Sequence, residues 1–346
     1  LVVCLETTRR ETADDTDPIS PLIEKLAKST DPAMTRSPRI VSLVSSATEI
    51  LFGLGLGDCL VGVSHECDYP PDALSLPQLT KSNIDSSRSS ISIDHQVHDQ
   101  LEAGMSLYEI DVQQLVALAP DVVIAQAQCD VCAVRYEDVA EAVESQSALQ
   151  HTDLLSLHPQ CLADVLDDIL RLGEHLQCEN RAKGFVAQLQ GRIETIRHKT
   201  DDIEFDQRPR VCCIEWIEPL MLAKNWMPEL VHLAGGRYLF SGEAGHSVYN
   251  SWSEIVSFDP QALIIMPCGF DLERARIEGE QLTSYPDYHR LQAVLQRRVF
   301  AVDANSYFNR SGPRLIDSTE ILAHLLHPRR FPPVVDTQNR SPWCVV

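Results

Sequence analysis

The chain has 346 residues, with 29 Lys+Arg against 50 Asp+Glu and a formal net charge of -21. That length exceeds one compact domain and predicts two lobes, each with its own core. The charge repels phosphate backbones and anionic headgroups, which excludes nucleic acid as a partner, and no window approaches the ~18 to 20 apolar residues of a bilayer span, so no membrane insertion is expected.

Eleven cysteines cannot all pair, because the count is odd. Cys212 and Cys213 lie inside the apolar run RVCCIEW, where a free thiol behaves as a small hydrophobe. This usage points to a reducing compartment. The opening LVVCLETTRRETADD has too short an apolar part for a complete signal peptide, which also favours a cytoplasmic location.

In chain order, residues 1–37 are polar and proline-punctuated and read as a flexible N-terminal extension. An N-terminal α/β lobe over 38–158 opens with RIVSLVSSATEILFGLGLGDCLVGV, which reads as strand, turn, amphipathic helix, glycine stop and second strand. Residues 81–111 form an insertion in which Ile93, Val97 and Leu101 predict a short helix stopped by Gly104, placed either over a cleft or out on the surface. LVALAPDVVIAQAQC then gives a short helix, a proline and a buried strand ending in a cysteine-bearing loop. A connecting long helix is predicted over 159–199, with apolar residues recurring at three and four from Leu162 to Ile196. Uninterrupted, it would span roughly 55 to 60 Å, although Gly173, Gly184 and Gly191 could divide it.

The C-terminal α/β lobe, 200–328, repeats the plan of the first. RVCCIEWIEPLMLAKNWMPELVHLAGGRYLF echoes residues 39–63, and IVSFDPQALIIMPC echoes 115–129. The last stretch, HPRRFPPVVDTQNRSPWCVV, carries four prolines, and residues 329–346 read as a tail. The predicted fold class is therefore α/β: two similar parallel-sheet lobes joined by a long helical connector, with a ligand cleft between them.

The loops expected at that cleft hold His65, Glu66, Cys67 and Tyr69, then Gln126, Gln128, Cys129 and Cys132, then Glu215, Trp216, Asn225, Trp226, Trp252 and Cys268, and finally Tyr307, Phe308 and Asn309. Aromatic faces with Asn and Gln suit a flat conjugated ligand bearing amides. His65, Cys67, Cys129, Cys132 and Cys268 are also soft candidate ligands for a metal or metallocofactor, and the Cys-x-x-Cys of Cys129 and Cys132 could be a redox-active or ligand-sensing thiol pair. Ordinary packing explains the same cysteines. The hydroxyls and helix-start amides of SSATE, residues 45–49, suit an anion or a plain N-cap. The sequence has no Gly-x-Ser-x-Gly elbow, Walker loop or His-Glu-x-x-His, and GLGLGD ends a helix where a dinucleotide fingerprint would begin one. Neither an enzyme nor a nucleotide cofactor is expected.

RIVSLVSSATEILFGLGLGDCLVGVSHECDYPP, LVALAPDVVIA, PELVHLAGGRYLF, IVSFDPQALII and VDANSYFNRSGPRLIDSTEILAHLL fall in the order of the vitamin B12 (cobalamin) substrate-binding proteins of ABC importers, which this chain resembles over residues 39–327. The resemblance implies a helical-backbone periplasmic-binding-protein fold with little hinge motion, a cobalamin or other corrinoid as ligand, an ABC permease as partner and a periplasmic location. It also marks departures. The family's lobe-one pocket aromatic falls at Glu66 and its next Trp at Gln126, while the aromatic pair is kept as Tyr307 and Phe308. The two docking glutamates fall at Gln113 and Ser253, with Asp111 and Glu254 close by. The expected function is corrinoid binding in the cleft, as an importer component or a related soluble carrier. A Cys/His metal or metallocofactor protein, a thiol-dependent enzyme and an intracellular sensor that docks no permease are the alternatives.

Overall fold

In the computed structural model, which describes residues 36–127, 131, 133–239, 245–336 and 338–346, the first lobe is a four-stranded parallel sheet. Its strands β1 (Ile40–Ser42), β2 (Leu60–Val63), β5 (Val122–Gln126) and β6 (Asp153–Leu157) lie in the order β2-β1-β5-β6. A separate antiparallel pair, β3 (Thr80–Ser82) and β4 (Tyr108–Ile110), brackets the insertion. Helices α1 (Ser45–Gly53), α2 (Ser90–Glu102), α3 (Val112–Leu118) and α4 (Tyr136–Glu144) complete the lobe. Successive strand residues face opposite layers: Ile40 packs under α1, whereas Val41 packs with Leu115 and Val139 on the other side. Both faces are covered, which is why β1 and β5 are buried throughout and apolar except at their last residues, Ser42 and Gln126.

The predicted single connector is two helices. α5 (Leu162–His175) ends before Gln177, whose φ of 54° is left-handed, and α6 (Glu179–Thr200) packs back against it. Gly173 is the contact that permits this, because a Cβ there would stand 2.2 Å from the Ala182 Cβ. Gly184 and Gly191 do not interrupt α6, whose 22 residues run about 33 Å, so the extended strut is corrected to a bent pair.

Lobe two contains β7 (Arg210–Trp216), β8 (Met221–Leu222), β9 (Arg237–Tyr238), β10 (Val248–Tyr249), β11 (Ala262–Ile265), β12 (Val299–Val302) and β13 (Trp343–Val345). The parallel set β9-β7-β11-β12 reproduces β2-β1-β5-β6, so the internal echo of the sequence is an echo of topology. Helices α7 (Met227–Leu233), α8 (Trp252–Phe258), α9 (Leu272–Glu280), α10 (Gln292–Leu295) and α11 (Leu315–Leu326) surround it. Gly55 after α1 and Gly235 after α7, at φ 67° and 77°, are matching left-handed stops. Cys212 and Cys213 point into opposite layers of β7 and cannot meet.

Two expectations are revised. The C-terminal segment is not a loose tail: β13 pairs antiparallel with β12, and Trp343 meets the Phe300 ring edge-on at 5.7 Å. The expectation of one core per lobe is extended: each lobe keeps a cluster of its own, around Val41 and Leu115 and around Cys212 and Leu263, but a third cluster is shared and runs from Ile40, Ile50 and Leu51 through Phe185, Leu189 and Ile193 of α6 to Val211, Leu230 and Leu322. The predicted N-terminal extension lies, up to residue 35, outside the described residues.

Candidate functional site

The strands of both lobes end towards each other, and four charges join the lobes there. Glu49 of α1 is held bidentately by Arg314, at 3.0 Å from Nε and 2.6 Å from Nη2. Arg310 holds Asp68 through both its nitrogens and stands 3.6 Å from Glu49. The Glu49, Arg310 and Arg314 side chains are only 2%, 5% and 9% exposed, so the Glu49–Arg314 pair is desolvated and loss of one side leaves a buried charge, whereas Asp68, at 42%, reaches solvent. Burial would lower the Arg314 pKa, but the Glu49 charge outweighs it and the guanidinium is held above its ordinary value. Burial would likewise raise Asp68, and Arg310 outweighs it, so that carboxyl sits below the usual range. Arg314 also covers the Tyr69 ring at 4.1 Å, and Gly312 brings the backbone against Ser46.

Beside this network, His65 Nδ1 bonds Thr80 Oγ1 at 2.7 Å and its Nε2 lies 3.3 Å from Glu66 Oε1. The His65 contact, with Arg310 nearby, keeps the Glu66 carboxyl low despite its burial. Glu215 accepts from Ser247, and burial pushes its pKa up. Tyr307 is half-buried, its phenol pushed up to about 12 by burial and by Asp317.

Several predicted site residues are not at the cleft. Cys67 is fully buried in the core, where Thr48 Oγ1 donates to its sulfur at 3.1 Å and burial raises the thiol to about 11. Trp226 and Phe308 are core residues, joined by a 3.0 Å bond from the indole N–H to the Phe308 carbonyl. Trp252 starts α8, donates to the Pro286 carbonyl and packs on Tyr285, away from the gap. Gln126 is buried at the end of β5. Gln128, Cys129 and Cys132 lie outside the described residues. Among the described residues no three His, Cys, Asp or Glu side chains converge on a possible metal position, and His65, Cys67 and Cys268 belong to three different environments.

The sequence reading missed Glu49, Arg310 and Arg314 as site residues. Their signal was a charged residue on the buried face of a helix and two arginines flanking Gly312-Pro313. Of the two placements open to the 81–111 insertion, the structure takes the one over lobe two: Ile93 of α2 packs with Trp216 and Phe270, with Ile84, Val97, Met221 and Cys268 around them.

Among the described residues, five buried polar atoms at these loops have no hydrogen-bond partner: Ser46 Oγ and His65 Nε2 on lobe one, the latter with only its ion-pair contact to Glu66, and Trp216 Nε1, Asn225 Oδ1 and Asn309 Oδ1 on lobe two. Buried polar groups are normally satisfied, which makes these atoms candidates for contact with another molecule, although Gln114, Asp168, Gln188 and Trp343 carry similar atoms elsewhere. Two surface depressions, along β6 and α5 and along α4, open elsewhere.

Two linked α/β lobes with charge pairs and unsatisfied polar atoms between them define a carrier of small ligands. Residues 40–306 match the family model described as periplasmic binding protein, and the chain belongs to that family, the substrate-binding components of ABC importers, which are not enzymes. It is 23% identical over 309 residues to an uncharacterized ABC transporter substrate-binding lipoprotein of Bacillus subtilis (strain 168), covering 88% of this chain and 85% of that one. The crystal structure of the periplasmic vitamin B12 binding protein of Vibrio cholerae superposes with a TM-score of 0.61 at 22% identity, over 84% of this chain and 96% of that one. The apo periplasmic heme-binding protein of Roseiflexus sp. RS-1 gives 0.64 at 21% identity, over 85% and 100%. These likenesses fix the fold, a class III periplasmic-binding-protein architecture.

Proposed function

We propose that the interlobe face binds a corrinoid. The carrying observation is the set of unpartnered atoms: the Trp216 N–H donates, the Asn225 and Asn309 carbonyl oxygens accept, and the Ser46 hydroxyl does either. A corrinoid presents neutral carboxamides around a flat macrocycle and answers both kinds of group. A haem presents two carboxylates instead. Here Arg310 and Arg314 already hold Asp68 and Glu49, and Glu66 adds a further negative charge, so a dianionic ligand is poorly served. Trp216, Tyr69 and Tyr307 supply the aromatic faces, a smaller set than the sequence suggested.

Gln113 and Ser253, exposed at the starts of α3 and α8, carry no carboxylate, and Asp111 and Glu254 cap their own helices. This supports a carrier that does not dock a permease through a glutamate pair. The eight described cysteines are all free, four of them fully buried, which supports residence in a reducing compartment. Parallel absorbance and tryptophan-fluorescence titrations with cyanocobalamin and hemin test the ligand. Saturation by cyanocobalamin at micromolar concentration, with hemin weaker, is expected; saturation by hemin alone would replace this reading.

A further inference from the structure

Helix α2 hangs from lobe one on the β3–β4 pair but makes its contacts on lobe two. Ile93 is buried with Trp216 and Phe270, the side chains at the cleft ends of β7 and of the loop after β11. At the start of the helix, Ser90 Oγ donates to the buried Glu278 carboxylate at 2.9 Å, and Gln281 holds the same oxygen at 2.7 Å. Arg274 stacks on the Phe270 ring at 3.7 Å and donates to the carbonyls of Ser86 and Arg88, immediately before α2. At its far end His98 meets the Tyr249 hydroxyl at 3.3 Å. The surface so covered includes the Trp216 indole, whose N–H is buried without a partner.

We propose that α2 is a movable roof, latched by Arg274 and Glu278, that occupies the lobe-two wall of the ligand site and must lift before ligand reaches Trp216. The inference rests on the interlobe site described above, and it explains why that face is filled. A donor that α2 desolvates without satisfying is a poor structural contact and a ready ligand contact. Besides the Ile93 cluster, α2 meets lobe two through the hydrogen bonds of Ser90 to Glu278 and His98 to Tyr249, so the roof can part from lobe two while β3 and β4 keep it tethered.

Cys268 sits under the roof beside Trp216 and reports on opening without any ligand. Its alkylation by iodoacetamide, read by peptide mass spectrometry, is expected to run about tenfold faster in an Arg274→Ala/Glu278→Ala variant than in the wild type. A variant with residues 84–106 replaced by Asn-Gly, closing β3 and β4 as a hairpin, is expected to react faster still. Equal Cys268 rates in all three proteins would overturn the roof. In stopped-flow mixing with cyanocobalamin, the wild-type rate is expected to level off with concentration at the opening rate, and the Arg274→Ala/Glu278→Ala plateau to rise about tenfold. A plateau unmoved by the latch substitutions would also overturn it. If the wild type takes up no cyanocobalamin, the ligand assignment falls while the Cys268 rates still decide the roof.

Discussion

Glu49 decides how the lobes are held. It lies on the inward face of α1, where an apolar residue would be the ordinary choice, and its charge is tolerated because Arg314 meets it with two hydrogen bonds. Replacing Arg314 by Met leaves that carboxylate buried with Arg310 alone, at 3.6 Å. The expected loss is about 3 kcal/mol or more, read from the urea midpoint, while Glu49→Leu with Arg314→Met recovers most of it. A single substitution costing no more than the double would show the pair to be solvated. Asp68 gives the pH dependence. Its folded pKa lies below the ordinary value, so its contribution is present above about pH 4 and is lost as pH falls through the folded value. The difference in unfolding midpoint between wild type and Asp68→Asn should therefore shrink below pH 4, and a difference constant down to pH 2.5 would contradict the assignment.

At the scale of elements, the bend between α5 and α6 makes the molecule a closed unit in place of two bodies on a strut. α6 reaches both lobes: Phe185 packs against Gly53 of α1, Arg192 grips Asp317 and Glu320 of α11, and Thr200 Oγ1 donates to the Leu233 carbonyl of α7. The bend depends on close backbone approach at Gly173, where even a methyl group must displace Ala182. Gly173→Ala is expected to bring about 1 to 3 kcal/mol of overpacking against the roughly 1 kcal/mol gained from helix propensity, a net loss of stability measured by thermal or urea unfolding. A stabilised variant would mean that α6 does not bear on α5 at that point. β13 is the other element with a structural duty, since it covers the β12 edge that would otherwise be open to strand addition.

The duplicated lobes were legible because buried parallel strands leave unbroken apolar runs such as VVIA and ALII, and because glycine stops recur at matching places. The bend at Gln177 was not, since the helical period continues through it and only a left-handed φ breaks it. The burial of Trp226 and Phe308 was also hidden, because a loop aromatic in sequence carries no sign of whether its loop packs inward; their indole-to-carbonyl bond is a long-range fact. Among the cysteines, Cys67 follows the same rule, being adjacent to cleft residues yet turned to the core by strand-end geometry. Asn225, Asn309 and Trp216 were legible as polar or aromatic loop residues at strand ends, and the proposed ligand site rests on those three.

The central claim is that one ligand touches both lobes at once. Hydrogen-exchange mass spectrometry with and without saturating cyanocobalamin tests it most directly. The expected result is simultaneous protection of the segments around Ser46 and Ser64–Tyr69 on lobe one and around Asn225 and Asn309 on lobe two. Protection confined to a single lobe, or to the depression formed by β6 and α5, would contradict it.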